Sequence, residues 1–202
     1  QNAYLIETPE GNILWDLVAL IDEATIAEIE ARGGIKAIAI SHAHYYTTMV
    51  EWSHALGHVP IFLHDSNRQW VMRPDSVVEY WSGDTLKPIP GITVIRTGGH
   101  FPGGMVLHWS GTPDGRGALF TGDIVKVVAD PNWVTFMYSY PNTIPLDPAT
   151  VARMATQLAR FRFDRVHDAF DKHVATDGNR AIQRSAERYI SHVLGHAGPT
   201  IG

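Results

Sequence analysis

The sequence contains no cysteine, and this absence removes several kinds of chemistry at once. Disulfide bonds, thiolate metal ligands and a cysteine nucleophile are all excluded. Any metal ion bound by this chain must therefore be held by imidazole and carboxylate side chains.

Long apolar runs and runs of like charge are also missing. No stretch approaches the roughly 20 apolar residues that cross a bilayer, and no charged start followed by an apolar segment marks a secretion signal. The formal net charge is -5, and no basic stripe is present that could neutralise phosphates. These absences predict a soluble protein with a small-molecule partner, and with neither nucleic acid nor membrane as a partner. The cytoplasm is the default expectation, and the start at Gln1 instead of methionine leaves the periplasm open.

Length and composition favour a single domain. The chain has 202 residues, of which 45% are hydrophobic. This is enough for one sizeable core and too little for two, so we predict one domain over residues 1–202. Strand and helix patterns alternate along the chain, which predicts the α/β class.

Side chains that can bind a metal follow several predicted strands. "IKAIAIS" is typical of a buried strand and leads into His42 and His44, "ITVIRT" leads into two glycines and His100, and Asp123 follows the apolar run of "GALFTGDIV". Strand ends share one rim in sheets covered by helices, and ligands gather at that rim. Three imidazoles with one carboxylate suit zinc, and iron or manganese as well.

Four segments in order make the chain resemble the metallo-β-lactamase superfamily, whose members include zinc hydrolases such as glyoxalase II and lactonases. They are "YLIETPEGNILWD", "IKAIAISHAHYYT", "TGGHFPGGMVLHW" and "ALFTGDIV". The resemblance implies a four-layer αβ/βα sandwich of two mixed β-sheets flanked by helices. It also implies that His42, His44 and His100 bind the first metal ion and that Asp123 corresponds to the carboxylate that bridges two ions in the family.

The second metal site of the family is incomplete in this chain. The family motif reads His-x-His-x-Asp-His, and here Tyr46 and Thr47 stand in place of the aspartate and the last histidine. The place of a further family histidine falls at residues 169–170, which are alanine and phenylalanine, although His167 or His173 could compensate. We therefore predict one ion, most readily zinc, or a site that has lost its metal.

The resemblance implies a hydrolase that acts on a small ester, thioester or lactone. Tyr46 and Asp123 are the predicted catalytic residues. A free phenol has a pKa near ~10, so Tyr46 is unsuited to act as a base but can donate a hydrogen bond to a developing oxyanion. Asp123 is predicted to be catalytic because the resemblance makes it a ligand of the metal ion.

Other interpretations of these residues remain open. The missing second-site ligands favour a non-catalytic ligand-binding or regulatory protein of the same fold, and the donor set also suits a one-metal iron redox enzyme. The histidine pair could be ordinary strand-end histidines, and Asp123 could only cap a turn. Asp16 is interpreted as a support for the histidine loop, and His64 and His108 as ordinary histidines.

The segment "DPNWVTFMYSYPN" is rich in aromatic residues and shows no regular period. We predict that residues 130–146 form a loop over one face of the molecule. Its aromatic side chains could wall an apolar pocket or form a homodimer contact.

Overall fold

The computed structural model describes residues 2–196, so the ends of the predicted domain 1–202 lie outside the described residues. The strands are β1 (Tyr4–Ile6), β2 (Ile13–Trp15), β3 (Ala37–Ala39), β4 (Ile61–His64), β5 (Val78–Trp81), β6 (Thr85–Leu86), β7 (Ile92–Arg96), β8 (Met105–Trp109), β9 (Ala118–Phe120), β10 (Lys126–Val127), β11 (Val134–Thr135), β12 (Met137–Ser139), β13 (Ile144–Pro145), β14 (Arg165–His167) and β15 (His173–Val174). The helices are α1 (Glu23–Ala31), α2 (Met49–Ala55), α3 (Pro148–Leu158) and α4 (Gly178–Val193). Two 3₁₀ turns span Ala43–Tyr45 and Asp65–Trp70.

Two mixed sheets form the centre of the fold. The first has the order β1-β2-β3-β4-β5, with β1 antiparallel to β2 and the remaining neighbours parallel. The second has the order β15-β14-β9-β8-β7-β6 and contains one parallel pair, β9 with β14. Two separate two-stranded ribbons, β10-β11 and β12-β13, complete the strands.

Successive residues of the strands point into different cores, because side chains alternate between the two faces of a sheet. In β2, Ile13 and Trp15 join the core between the sheets, and Leu14 joins the core beneath α1 and α2. In β8, Leu107 faces the first sheet and Val106 faces the core that contains residues of α3 and α4. Three cores therefore separate four layers, which confirms the predicted four-layer αβ/βα sandwich.

Two segments differ from the sequence-based prediction. The apolar spacing from Leu17 predicts a helix over residues 17–32, but α1 begins only at Glu23, because the Asp22 side chain accepts the N–H of Thr25 at 2.9 Å and caps the helix there. The predicted loop over residues 130–146 instead contains β11 and the ribbon β12-β13. Strands of two or three residues are too short to show a period.

No helix among residues 2–196 is both long and apolar enough to cross a membrane.

A buried carboxylate joins the ribbon β10-β11 to the end of β14. Asp168 is fully buried, and its carboxylate accepts the backbone N–H groups of Val127 at 2.9 Å and Phe170 at 2.8 Å. An ionised carboxylate can accept at both oxygens, whereas an amide has one acceptor oxygen and one donor nitrogen. The two backbone donors, at Val127 and Phe170, therefore need a carboxylate at residue 168 and not an amide.

We expect Asp168→Asn to lower the free energy of unfolding by about 1–3 kcal/mol, because its amide N–H₂ would face a backbone donor. Urea unfolding measures this loss. The control is Asp171→Asn, which changes an exposed carboxylate three residues away and should stay within about 0.5 kcal/mol of the parent. Equal midpoints for the two variants would contradict the structural role of Asp168.

Candidate metal centre

The end of β2 supports the beginning of the histidine loop. Asp16 follows the last residue of β2 in the left-handed conformation, at φ 56°, and its backbone N–H donates to the Ala39 carbonyl at 3.0 Å. Its buried carboxylate accepts the Ser41 N–H at 2.6 Å and the Ser41 hydroxyl at 2.9 Å. Burial raises the pKa of Asp16 to about 7, although both bonds from Ser41 oppose that rise. Asp16 thus fixes the backbone and side chain of the residue before His42.

Ser41 determines which nitrogen of His42 can bind a metal. The Ser41 hydroxyl lies 2.9 Å from His42 Nδ1, and its single hydrogen is already donated to Asp16. Ser41 Oγ therefore accepts from His42 Nδ1–H, which leaves Nε2 unprotonated, with its lone pair directed at His44 Nδ1 and Asp123. Such a partner behind the ring is the usual way in which a metal-binding histidine is oriented.

The same device orients His100 from the other sheet. His100 Nδ1 lies 2.8 Å from the backbone carbonyl of Tyr138 in β12, and a carbonyl can only accept, so Nδ1 carries the hydrogen. His100 Nε2 is buried and has no hydrogen-bond partner among the described residues. Its lone pair is therefore free for a ligand.

The four predicted ligands come together. His42, His44, His100 and Asp123 each offer one ligand atom, and all four atoms lie within 4.8 Å of one another. His42 Nε2 is 3.0 Å from Asp123 Oδ1 and 3.0 Å from His44 Nδ1, and His100 Nε2 is 3.9 Å from Asp123 Oδ2. Of the four residues, only His44 is exposed, so the cluster opens to solvent on its side.

The electrostatics of the cluster favour a cation at its centre. Burial lowers the pKa of His42, against the opposing effect of Asp123, so its ring is neutral. Burial also acts to raise the pKa of Asp123, but the three neighbouring histidines hold it below its usual range, so the carboxylate is ionised. Asp123 Oδ1 faces the Nε2 lone pair of His42 at 3.0 Å without hydrogen-bond geometry. Two facing lone pairs are stabilised by a cation between them, so the residues fit a divalent metal ion.

The other predicted histidines lie elsewhere. His64 Nε2 is 3.1 Å from the Gly83 carbonyl, and His108 Nε2 is 2.8 Å from the Arg162 carbonyl, as expected of ordinary structural histidines. His167 stacks on His173, with ring centroids 5.7 Å apart. Neither of these two belongs to the metal cluster found among the described residues.

Tyr46 and Thr47, at the positions of the missing second-site ligands, do not join the cluster. The Tyr46 hydroxyl is buried and accepts a hydrogen bond from Asn67 Nδ2 at 3.2 Å, and Asn67 Oδ1 in turn accepts the N–H of Gly103 at 2.8 Å. The Thr47 side chain is exposed. The oxyanion role of Tyr46 stays a prediction, and its hydroxyl has a structural partner.

Sequence reasoning missed Tyr45. Its ring packs edge-on against His42 at 4.9 Å between centroids, and its buried hydroxyl has no hydrogen-bond partner among the described residues. Burial raises the pKa of Tyr45, and the negative charges of Asp123 and Asp16 raise it further, so the phenol is neutral and can donate. The one available signal was its place directly after His44 in the 3₁₀ turn.

Comparison with known proteins gives one curated relative. No family model matches the chain. The uncharacterized protein YmaE of Bacillus subtilis (strain 168) is 48% identical over 190 residues, which cover 94% of this chain and 69% of YmaE.

Solved structures with a similar fold include TTHA1623 in a di-iron-bound form, with a TM-score of 0.63, 26% identity, and coverage of 89% of this chain and 91% of that one. The DIM-1 metallo-beta-lactamase has a TM-score of 0.68 at 16% identity, covering 92% of this chain and 86% of its own. A B3 metallo-beta-lactamase with an active-site glutamic acid has a TM-score of 0.63 at 18% identity, covering 95% and 82%. The two lactamases, at such identities, show that the fold is shared.

Gly122 allows β9 to approach the Asp16–Ser41 pair. It has φ 55°, and a Cβ there would lie 2.4 Å from Ser41 Oγ and 3.1 Å from Asp16 Oδ2. Gly115 has a similar φ of 66°, and nothing lies within 4 Å of its Cβ position. Alanine at either glycine would strain the backbone, but only alanine at Gly122 would also displace Ser41 and Asp16. Comparing the two variants therefore separates the two effects.

We expect Gly122→Ala to weaken zinc binding by about 10- to 100-fold, because the partner of His42 is displaced. Gly115→Ala should leave zinc affinity unchanged and cost only the left-handed backbone strain, about 1–2 kcal/mol. Zinc titration and urea unfolding in chelator measure the two effects. The same zinc affinity in both variants would show that Ser41 and Asp16 do not hold His42 for a metal.

Proposed function

We propose that this chain is a hydrolase of the metallo-β-lactamase superfamily that acts on a small ester, thioester or lactone with one divalent metal ion. The observation that carries the proposal is the convergence of four ligand atoms, two of them buried and without hydrogen-bond partners, on one point. Zinc is the ion we propose, because three imidazoles and a carboxylate suit it, and iron suits the same set.

A bound divalent ion lowers the pKa of water and polarises a carbonyl oxygen. The chain supplies the rest. Ser41 and Asp16 keep the hydrogen of His42 on Nδ1, and the Tyr138 carbonyl does the same for His100. Asp123 is the carboxylate of the cluster, and we assign to it the proton released by the attacking water.

One ion is proposed, and not two, because the chain offers no second set of ligands at the matching positions. Tyr46 is bonded to Asn67, Thr47 is exposed, and Ala169 is fully buried in the apolar core beneath α1 and α2. None of these side chains is a usual zinc ligand. The di-iron form of TTHA1623 shows that a similar fold can hold two ions in that protein.

We propose that Tyr45 supplies the hydrogen bond to the oxyanion. A buried hydroxyl without a partner costs free energy unless a water molecule or ligand satisfies it. The Tyr45 hydroxyl is in this condition beside His42, and its phenol stays protonated. Tyr46 lacks such a free hydroxyl, since Asn67 is bonded to it.

A second candidate function is a ligand-binding or regulatory protein that has kept the metal. The replaced second-site positions, Tyr46 and Thr47, favour this alternative. It differs from the first proposal in one respect that can be measured, which is turnover.

We expect purified protein to carry about one zinc or iron per chain, and we expect His42→Ala and His100→Ala to lose it, because each removes a buried donor. Elemental analysis measures the stoichiometry. His54→Ala is the control, since His54 lies on α2 and pairs with Asp75 at 3.3 Å. Hydrolysis of p-nitrophenyl esters should stop with a chelator and return with zinc.

Each result decides between the candidates. One bound ion without hydrolysis of any ester, thioester or lactone would favour the ligand-binding protein. A wild-type chain that carries no metal and takes none up on titration would refute both metal-dependent functions.

We expect Tyr45→Phe to lower kcat for the ester by about 10²-fold while its metal content is unchanged, because an oxyanion donor is lost. Tyr46→Phe should keep kcat and lower the free energy of unfolding by about 1 kcal/mol through the lost bond with Asn67. Steady-state kinetics and urea unfolding measure both. The opposite pattern would return the oxyanion role to Tyr46.

A further inference from the structure

A cavity of about 650 Å³ opens beside the exposed side of the metal cluster, and His44 and His100 form part of its wall. This volume is in the range of sites that hold small organic ligands. The remaining lining residues come from two chain segments around His100 and Trp70 and from the ribbon β12-β13. They include Gln69, Trp70, Phe101, Ser139, Asn142 and Ile144.

The lining contains no lysine, arginine, aspartate or glutamate among the described residues. Arginines in the flanking segments have partners of their own. Arg68 pairs with Asp65 at 2.8 Å, Arg73 pairs with Glu51, and Arg96 Nε donates to a backbone carbonyl of the lining at 2.9 Å. The lining itself therefore offers an anionic group no lysine or arginine, and the net charge of -5 opposes the approach of such a group.

The walls are apolar and aromatic. Trp70 and Phe101 pack edge to face, with centroids 5.0 Å apart. Tyr138 and Ile144 are 58% and 45% exposed, and both lie on the ribbon at the mouth of the cavity. A ligand that covers them gains hydrophobic free energy on binding.

We infer that this cavity, defined here as the acyl cavity, selects substrates with an uncharged, apolar acyl group and rejects carboxylated ones. The inference rests on the proposed function, since it places the reacting carbonyl at His44 and His100 and the acyl chain along Trp70, Phe101 and Ile144. Gln69, Ser139 and Asn142 leave hydrogen bonding available to neutral polar atoms of the substrate.

Binding of amides that the enzyme need not hydrolyse tests the inference without turnover, and it is measured in chelator so that a carboxylate cannot bind a metal ion at His44 and His100. Octanamide, suberamic acid and 8-aminooctanamide have the same chain length and end in a methyl, a carboxylate and an ammonium group. We expect octanamide to bind at least about tenfold more tightly than either charged amide. The reporter is the indole N–H of Trp70 in NMR titrations, and Trp52, which lines a separate apolar cavity, reports binding there.

A matched pair of lysine variants tests the location. Ile144→Lys places a cation at the mouth and should reverse the preference in favour of suberamic acid. Met72→Lys adds the same charge at a residue that is 89% exposed and outside the acyl cavity, and it should keep the wild-type preference.

Preference for octanamide at Trp70, reversed only by Ile144→Lys, supports the inference whether or not esters are hydrolysed. Failure of hydrolysis with this pattern intact refutes only the proposed function. Tighter binding of a charged amide to wild type, shifts at Trp52 instead of Trp70, identical behaviour of the two lysine variants, or no binding overturns the inference.

Discussion

The carboxylate of Asp16, buried and bonded twice to Ser41, is the interaction on which the candidate site depends. It joins the end of β2 to the end of β3, and through Ser41 it assigns the hydrogen of His42 to Nδ1. A buried carboxylate is costly unless both of its oxygens accept hydrogen bonds. The Ser41 N–H donates to Oδ1 of Asp16, and the Ser41 hydroxyl donates to Oδ2. The left-handed backbone at Asp16 is the strain that this arrangement carries, whereas Gly122 adopts the same conformation without a side-chain penalty.

The sandwich places chemistry at one rim because strands with apolar residues on both faces leave polar residues only at their ends. Trp15, Ala39 and Phe120 are buried between the sheets, and the polar residues Asp16, Ser41 and Asp123 follow those strands within three positions. The outer cores then hold the helices against the sheets. The geometry of the strands therefore determines which residues enter the cores, and it also places the polar residues of the site at the strand ends.

The sequence allowed the four residues of the cluster to be singled out as candidate ligands, because ordered strand-end residues are visible in one chain. It did not show which nitrogen of each ring is free, since that depends on Ser41 Oγ and on the Tyr138 carbonyl, a backbone atom 38 positions from His100. Tyr45 carried no motif of its own, and Tyr46 attracted the prediction because it occupies a family position. The partner that engages Tyr46, Asn67, comes from a separate turn that no spacing connects with the histidines.

The helices show the same limit. Asp147 followed by a proline is a sequence pattern typical of a helix start, and α3 begins there. Asp22 is an equally good cap, but apolar residues before it imitate helical spacing and moved the predicted start upstream. Local caps decide a boundary that periodicity alone leaves open.

The ligands come from both halves of the sandwich, since His42 and His44 follow β3 of the first sheet, and His100 and Asp123 follow β7 and β9 of the second. An ion held by all four would therefore join the two layers, which are also joined near this edge by the backbone hydrogen bond from the Met105 N–H to the Ser41 carbonyl at 2.9 Å. Its affinity depends on how the layers are aligned, so a slide of one sheet against the other by a fraction of an ångström changes coordination before it exposes any core. The fraction of molecules that hold the ion would therefore report how well the two sheets are aligned. The ion would stabilise the aligned state by a free energy that grows with its free concentration.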